Sequence, residues 1–437
     1  RFLFIQISLL LYIGIFLYTK DIIKSSLLYI LFVLPFNITY QLPHSVEILS
    51  TEIQISNPYV MGIFVNYIVP TISILDIGVF VMLLAYVFQN GLRQFLSEIV
   101  EMKNGFLVFL FLLLLQNLYH FDFLVLFNSV RFSAYLLVFI LMAKNPFLGK
   151  LKLTTIFYLF LINTLIQVTI GIMQFSQGAS LSLDFLGESQ VVSGMQGSSF
   201  VELGGQLFLR SYGTFPHPNV LAGYLILSFI LGICIIKRDL LKGIVLATFS
   251  FMGIIFTLSR ISICMCIIIL LFMLLKKVLR REIFYLRSFF LFERFESLVL
   301  GLDRSFDERR KLFDAGLKVL RENWLLGTGI GRFTEAMELF VPRAKNNVLL
   351  LQPVHNIFLL LLSDLGVLGS LAYLYILIYL FIKRFRRVSL YSGILLFTVV
   401  VIGLFDHYFF SMPQGLVLFY VFLSLSIYFS ESLDYGE

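Results

Sequence analysis

Twelve apolar runs, most of them close to the length that crosses a bilayer, govern what this chain can fold into. They fall near residues 2–18, 22–38, 72–89, 105–117, 124–143, 153–175, 218–236, 243–258, 261–275, 354–382, 388–410 and 415–430. A helix needs about 20 apolar residues to span hydrocarbon, and an open sheet edge is not tolerated there. Of the 437 residues 59% are hydrophobic and 14% charged, with a mean hydropathy of +0.94. Soluble domains carry roughly 25% charged residues, so a water-soluble cytosolic enzyme is excluded. The expectation is an all-α polytopic membrane protein of about 12 transmembrane helices, with residues 1–437 forming a single integral membrane domain. No small-residue cleavage site follows 2–18, so that run reads as a span rather than a leader. Cys234, Cys264 and Cys266 lie inside apolar stretches without metal-ligand spacing and read as small hydrophobes.

Lysines and arginines in short connections set the orientation. Lys20/Lys24, Lys144/Lys150/Lys152, Lys237/Arg238/Lys242, Lys276/Lys277/Arg280/Arg281 and Lys383/Arg384/Arg386/Arg387 are expected to face the cytoplasm. Segments 39–70, 117–123, 176–217, around 259, 301–353 and 411–414 are then outside. The loop 176–217 and the loop 301–353 hold the densest polar chemistry. Residues 282–300 must cross again between Lys276 and residue 301, yet they carry Glu282, Arg287, Glu293, Arg294 and Glu296, each costly at membrane depth. Either a short or tilted helix crosses there or the 276–287 cluster is not cytoplasmic. Within 301–353, Phe306, Phe313, Leu317, Leu320 and Trp324 recur at helical spacing. They predict an amphipathic helix of about twenty residues on the outer membrane face, ended by Gly327, Gly329 and Gly331.

Four polar constellations sit in these outer segments. Arg210-Ser-Tyr-Gly213-Thr214-Phe215-Pro-His217-Pro218-Asn219 offers a planar guanidinium suited to phosphate, although a proline-stiffened loop whose arginine reaches lipid headgroups would look alike. Thr257-Leu-Ser259-Arg260 places a cation between two spans, for a headgroup or a substrate diphosphate. In Asp307-Glu308-Arg309-Arg310 the two arginines flank the apolar stripe, each about 50° from its centre, so helical geometry leaves the choice between them open. Pro353-Val354-His355-Asn356 opens a span, and a helix N-terminus favours a neutral imidazole able to accept a proton. Asp364, about 13 Å further along and on the opposite face, cannot orient His355 from the same helix. Gly366 and Gly369 permit close helix approach. Asp406-His407-Tyr408 with Gln414-Gly415 forms a weaker fifth cluster. The glycines at 327, 329 and 331 follow a helix rather than a strand, so a nucleotide loop is rejected. No compact carboxylate pair for a divalent cation stands out in the outer loops.

Taken in order, Arg210…Gly213-Thr214-Phe215-Pro-His217-Pro218-Asn219, Leu258-Ser259-Arg260, Arg309 four residues before Phe313, Leu326-Gly327-Thr-Gly329-Ile-Gly331-Arg-Phe333 and His355-Asn356…Asp364-Leu-Gly366-Val-Leu-Gly369 resemble the O-antigen ligase and polymerase family of bacterial envelope glycan enzymes. The resemblance spans roughly residues 70–430, with Asp364 where Glu is expected and Phe313 where Trp is expected. It implies a GT-C-type glycosyltransferase in the bacterial inner membrane with its site facing the periplasm or cell exterior. Such enzymes move a glycan from a polyprenyl-diphosphate carrier to an acceptor hydroxyl on a lipid, protein or glycan. On that resemblance His355 is the general base, Arg210 and Arg309 bind the diphosphate and Arg260 is a third cation. Arg310, His217, Asn219, Asn356, Asp364, Asp406 and His407 are expected to contact substrate. Neither metal, cofactor nor nucleic acid is expected; membrane lipid is. The alternative is a flippase for lipid-linked oligosaccharide or another polysaccharide transporter, but transporters place polar residues near the midplane on broken helices in related halves.

Overall fold

The computed structural model describes residues 2–48, 51–54, 56–144, 151, 153–195, 197–203, 205–279, 304–344 and 348–431. The difficult crossing at 282–300, with Arg280 and Arg281, lies outside the described residues, as does Lys150 with Lys152. The chain is a mostly helical multi-pass membrane protein. In chain order the helices are α1 (Phe2–Thr19), α2 (Ile22–Val33), α3 (Ile74–Asn90), α4 (Leu92–Val100), α5 (Gly105–His120), α6 (Phe123–Lys144), α7 (Leu153–Gln177), α8 (Pro218–Ile236), α9 (Leu240–Thr257) and α10 (Arg260–Leu279). They continue as α11 (Arg304–Glu322), α12 (Phe333–Ala336), α13 (Ile357–Arg384), α14 (Leu390–Phe405), α15 (Tyr408–Ser411) and α16 (Pro413–Glu431).

Each of the twelve apolar runs has its helix, but by length and composition only six described helices qualify as spans: α6, α7, α8, α9, α13 and α16. A seventh is counted if α3 and α4, bent by 111° at Gly91, form one broken span. Helices α2, α5 and α14 are shorter, at 12, 16 and 16 residues. Helix α8 is buried from Pro218 to Ile235, as expected for a helix apolar on every face. It packs against α7, α9, α10, α14 and α16, making it the axis of the bundle.

The expected all-α character needs one correction: the segments between helices carry four two-stranded antiparallel sheets, three of them hairpins. Strand β1 (Thr39–Gln41) pairs with β6 (Thr71–Ser73), Thr39 opposite Ser73. Strands β2 (Ser45–Ile48) and β3 (Thr51–Gln54), and β4 (Tyr59–Val60) and β5 (Ile63–Phe64), fill the loop between them. Strand β7 (Phe200–Leu203) pairs with β8 (Gln206–Leu209). Met61 and Gly62 both have positive φ, at 51° and 77°, the backbone of a tight two-residue hairpin turn.

The two ends of the bundle separate the charges. At one end buried Lys144 pairs with Glu98 at 3.2 Å and Glu101 at 2.9 Å, Lys383 reaches Glu101 at 2.7 Å, and Arg384 donates to the Lys144 carbonyl. Two of the basic clusters expected in the cytoplasm therefore meet. At the other end the segments expected outside, apart from 117–123, contribute to one cavity.

Helix α11 lies across that end, where the sequence places it, but it buries a different face. Leu312, Ala315 and Val319 are buried with Phe333, Val354, Leu359 and Leu360, while Phe313, Leu317 and Trp324 are 40%, 37% and 56% exposed. The wide stripe of large residues suggested by the sequence is outward; the small residues Ala315 and Gly316 let α11 sit close on Leu359 of α13. Phe306 lies where side chains are not described.

Candidate active site

The chain around Arg210 is shaped from below by two amides of α7. Gln174 Oε1 accepts from the backbone N–H of Tyr212 (3.0 Å) and Gly213 (2.8 Å), and its Nε2 donates to the Gly213 carbonyl at 2.8 Å. Gln167 Oε1 accepts from Thr214 N–H at 2.8 Å, and the Thr214 hydroxyl donates to the Pro35 carbonyl at 2.8 Å. All these groups are buried, so each unmade bond would cost about 1–3 kcal/mol. The clamp stiffens Ser211–Thr214 and presents Arg210 at its rim. Residues 167 and 174 are seven apart on one helix face, a polar spacing within an apolar span that is visible in the sequence.

Arg210 is itself half fixed. Its Nε donates to the Thr257 carbonyl at 2.8 Å and Nη2 to Asn219 Oδ1 at 2.6 Å, and Asn219 Nδ2 donates to Asp406 Oδ2 at 2.6 Å. Burial, relieved by Tyr212 and Asp406 and aggravated by Arg309 and Arg260, lowers the guanidinium to about 10; it remains a cation at neutral pH. Arg260 on α10 and Arg309 on α11 thus act on Arg210, in the β8–α8 connection, across the cavity.

The choice between Arg309 and Arg310 follows from the buried face of α11. Arg309 stands three and seven residues before buried Leu312 and Gly316 and lines the cavity. Arg310 stands three, four and seven before exposed Phe313, Asp314 and Leu317; it is exposed and outside the lining.

His355, two residues before α13, lies against His407 with ring centroids 5.0 Å apart and planes at 80°. Its Nδ1 is buried without a hydrogen-bond partner among the described residues. Burial first, then the neighbouring His407, holds its pKa well below 6.5, while Asp406 pulls the other way. The neutral ring expected from the helix dipole is therefore reached mainly through desolvation. Burial alone would raise the Asp406 carboxyl, but the positive field of its neighbours, His407 foremost and Arg309 among them, brings it down to about 2. Ser411 shares a 2.6 Å hydrogen bond with His407 Nδ1, and Tyr67 packs its ring edge-on to His407 at 5.7 Å. The cluster that looked weakest in the sequence is thus the immediate surroundings of His355, and Tyr67, from a loop with no motif, was missed altogether.

His355, Asp406 and His407 each offer a ligand atom within 4.8 Å of the others, a geometry open to a divalent cation that the sequence did not anticipate. Two neutral imidazoles and a carboxylate fit zinc chemistry, whereas Arg309 and Arg210 beside them oppose any added positive charge.

Several expected contact residues prove to be builders of the site. His217 caps α8: Nδ1 accepts from Asn219 N–H at 3.1 Å, and Nε2 pairs with Ser199 Oγ at 3.0 Å. Burial, then Arg210, drives its pKa down to about 3. Asn356 caps α13 through Leu359 N–H at 2.9 Å, also reaches the Leu404 carbonyl at 3.2 Å, and is not in the cavity lining. Asp364 is buried; its carboxylate accepts from Thr328 Oγ1 (3.1 Å) and Gly331 N–H (2.9 Å). It borders the cavity, but its bonds fasten the glycine loop.

That loop fills a break in α13. Gly366 has φ 65° and ψ 179°, which interrupts the helix. Thr328 N–H donates to the Ser363 carbonyl (2.9 Å), Gly329 N–H to that of Asp364 (3.1 Å), and Val367 N–H to that of Trp324 (2.8 Å). Gln116 Nε2 adds bonds to the carbonyls of Leu326 (2.5 Å) and Asp364 (2.6 Å). The backbone groups freed by the break are thereby satisfied inside the bundle.

The resulting cavity, about 1440 Å³, is lined by Arg210, Asn219, Arg260, Arg309, His355 and Tyr67 among others. Residues 220–374 match the family model described as O-antigen ligase, and no curated protein matches the chain. An O-antigen ligase domain performs glycan transfer in polysaccharide assembly. The stretch from residue 220 to residue 374, which contains Arg260, Arg309 and His355, is thereby assigned to the O-antigen ligase family.

Proposed function

We propose that the chain is a GT-C-type glycosyltransferase moving a glycan from a polyprenyl-diphosphate carrier to an acceptor hydroxyl. In this reading all twelve apolar helices cross or enter a bacterial inner membrane, and the cavity opens on its extracytoplasmic side. One observation carries the proposal: Arg210, Arg309 and His355 line one cavity, at the end opposite the Lys144–Lys383 charge cluster.

The chemistry follows from that set. His355 takes the proton of the acceptor hydroxyl as its oxygen attacks the anomeric carbon. The bond from that carbon to the diphosphate oxygen breaks, and the lipid diphosphate leaves with the electron pair. Arg210 and Arg309, with Arg260 as a third cation, stabilise the charge that develops on it. Like charges crowded in a partly buried site are unfavourable alone, and a diphosphate offsets that cost. Asp406, rather than Asp364, is the carboxylate placed to stabilise the imidazolium that forms, and Asn219 couples it to Arg210. A proton acceptor positioned in this way contributes about 10²–10⁴ in rate.

A transporter would draw on the broken helix α13, since transporters bind substrates at such breaks. The break at Gly366 is closed by the glycine loop, which leaves no backbone groups there for a substrate. The test is reconstitution of the full chain in liposomes with a polyprenyl-diphosphate oligosaccharide and a panel of hydroxyl acceptors. Glycosylated acceptor and released carrier diphosphate in equal amounts are expected; passage of the donor across the bilayer without product would replace the transferase with the flippase.

A further inference from the structure

We infer that the acceptor is an uncharged, polyhydroxylated glycan, held on an amide-rich wall of the cavity formed by β1, β6 and the segment just before His355. The inference rests on the transferase reading and adds the chemical class of the second substrate. At about 1440 Å³ the cavity exceeds the roughly 300–1,000 Å³ typical of single-ligand pockets, so donor and acceptor can share it.

Charge divides the cavity. Among the described residues its lining contains four cations, Arg131, Arg210, Arg260 and Arg309. Two of them, Arg260 on α10 and Arg309 on α11, act on the third, Arg210, just before α8. The fourth is already neutralised: Arg131 Nε and Nη2 donate to Asp76 at 2.9 and 2.8 Å, Nη2 also reaches the Thr71 carbonyl, and the guanidinium lies over Phe127 at 4.7 Å. Asp76 in turn accepts from Tyr135 and from Ser73 N–H. A phosphate on this wall would meet no unpaired positive charge among the described residues, and an anion buried without one is strongly disfavoured.

What the wall does offer is neutral hydrogen bonding. Gln41 on β1 stands opposite Thr71 on β6, and Gln352 lies three residues before His355. The side chains of Gln41, Gln352 and nearby Asn66 line the cavity and make no hydrogen bond among the described residues. An amide both donates and accepts, as a sugar hydroxyl does, so each of these side chains can engage a glycan hydroxyl. Gln352 precedes the proposed base in sequence, which brings an acceptor held there close to His355.

The test uses the full chain in proteoliposomes with a polyprenyl-diphosphate oligosaccharide. The acceptors are a panel of neutral oligosaccharides and their 6-phosphate monoesters. Neutral members should be glycosylated in preference to their phosphorylated counterparts. In Gln41→Ala/Gln352→Ala the acceptor KM should rise about tenfold or more while the donor KM stays within twofold. Gln41→Arg should move the preference toward the phosphorylated acceptors. A wild type that favours phosphorylated acceptors, or an acceptor KM unchanged in the double variant, overturns the inference. Saturation-transfer NMR with the neutral panel and no donor separates it from the transferase reading. Neutral-glycan binding that the double variant weakens supports this wall even where no transfer occurs, and absence of binding counts against it.

Discussion

Gly327 and Gly366 are in such close backbone contact that a Cβ built on Gly327 would lie 2.4 Å from the Gly366 nitrogen, and one on Gly366 2.5 Å from the Gly327 nitrogen. Both residues have positive φ, 79° and 65°. The contact joins the loop carrying Arg309 to the helix preceded by His355, so the distance between proposed cation and base is set by a junction well away from either.

Alanine at either glycine should therefore cost transfer activity without touching the site. The left-handed backbone alone is worth about 1–3 kcal/mol, and the clash is with main chain, which cannot rotate away. Gly327→Ala and Gly366→Ala should each lower the unfolding temperature in detergent and reduce transfer more than tenfold. Gly393→Ala, where a Cβ meets only Val388 at 3.6 Å, serves as control and should behave like the parent.

Much of this was legible in the sequence, and the failures have physical causes. Spans read well because lipid forces long apolar runs; the start of α8 at Pro218 was placed to the residue. The hairpins did not read, although Gly204-Gly205 between two apolar stretches is a hairpin signal, because strands of two to four residues carry too little alternation to stand out from apolar helices. The buried face of α11 was missed because periodicity weighs large side chains, whereas close packing uses small ones such as Ala315 and Gly316. The bonds of Asp364 to Thr328 and Gly331 and of Asn356 to Leu359 do not read from sequence, because polarity at a span end does not say whether the partner is a ligand or a backbone amide. Asp406 reaches His355, and Tyr67 reaches His407, only through tertiary contacts, which no local pattern encodes.

The two adjacent arginines of α11 should separate cleanly. Arg309→Ala should abolish transfer at unchanged membrane abundance. Arg310→Ala removes an exposed charge, and such changes usually stay within about 0.5 kcal/mol; its rate should stay within twofold of the parent. Equal loss in both variants would remove Arg309 from the proposed site.

Arg210→Lys should also fail. The guanidinium uses Nε on Thr257 and Nη2 on Asn219, which leaves its remaining N–H groups directed by that anchoring. A lysine carries the charge on a single nitrogen and cannot hold both partners while meeting a phosphate. Transfer is expected to drop at least tenfold, mainly through a higher donor KM.

Chelation addresses the His355, Asp406 and His407 cluster. Full activity after EDTA treatment is expected, because the arginines supply the positive charge the leaving group needs. Loss of activity restored by zinc, and not by magnesium, would instead make the cluster a metal centre.

Acidification should act on both rate and stability, with His355 as the common cause. A general base works only when neutral, and His355 has a pKa held below 6.5, so transfer should be flat across neutral pH and fall only on the acid side. Asp406 raises that pKa; Asp406→Asn should therefore shift the acid limb to lower pH while reducing the plateau rate, since the imidazolium formed during transfer loses its counter-charge. His217 and His407 are likewise depressed by burial. In the unfolded chain these imidazoles take up protons near their ordinary value of about 6.5, whereas the folded protein refuses them until lower pH. The stability they contribute is fully present above that value and is lost as the pH falls below it. Thermal unfolding in detergent should show a lower midpoint at pH 5.5 than at pH 7.5. His355→Ala should narrow that difference while reducing transfer by about 10²–10⁴. A variant that keeps the parent's rate and the parent's pH profile would remove His355 as the base.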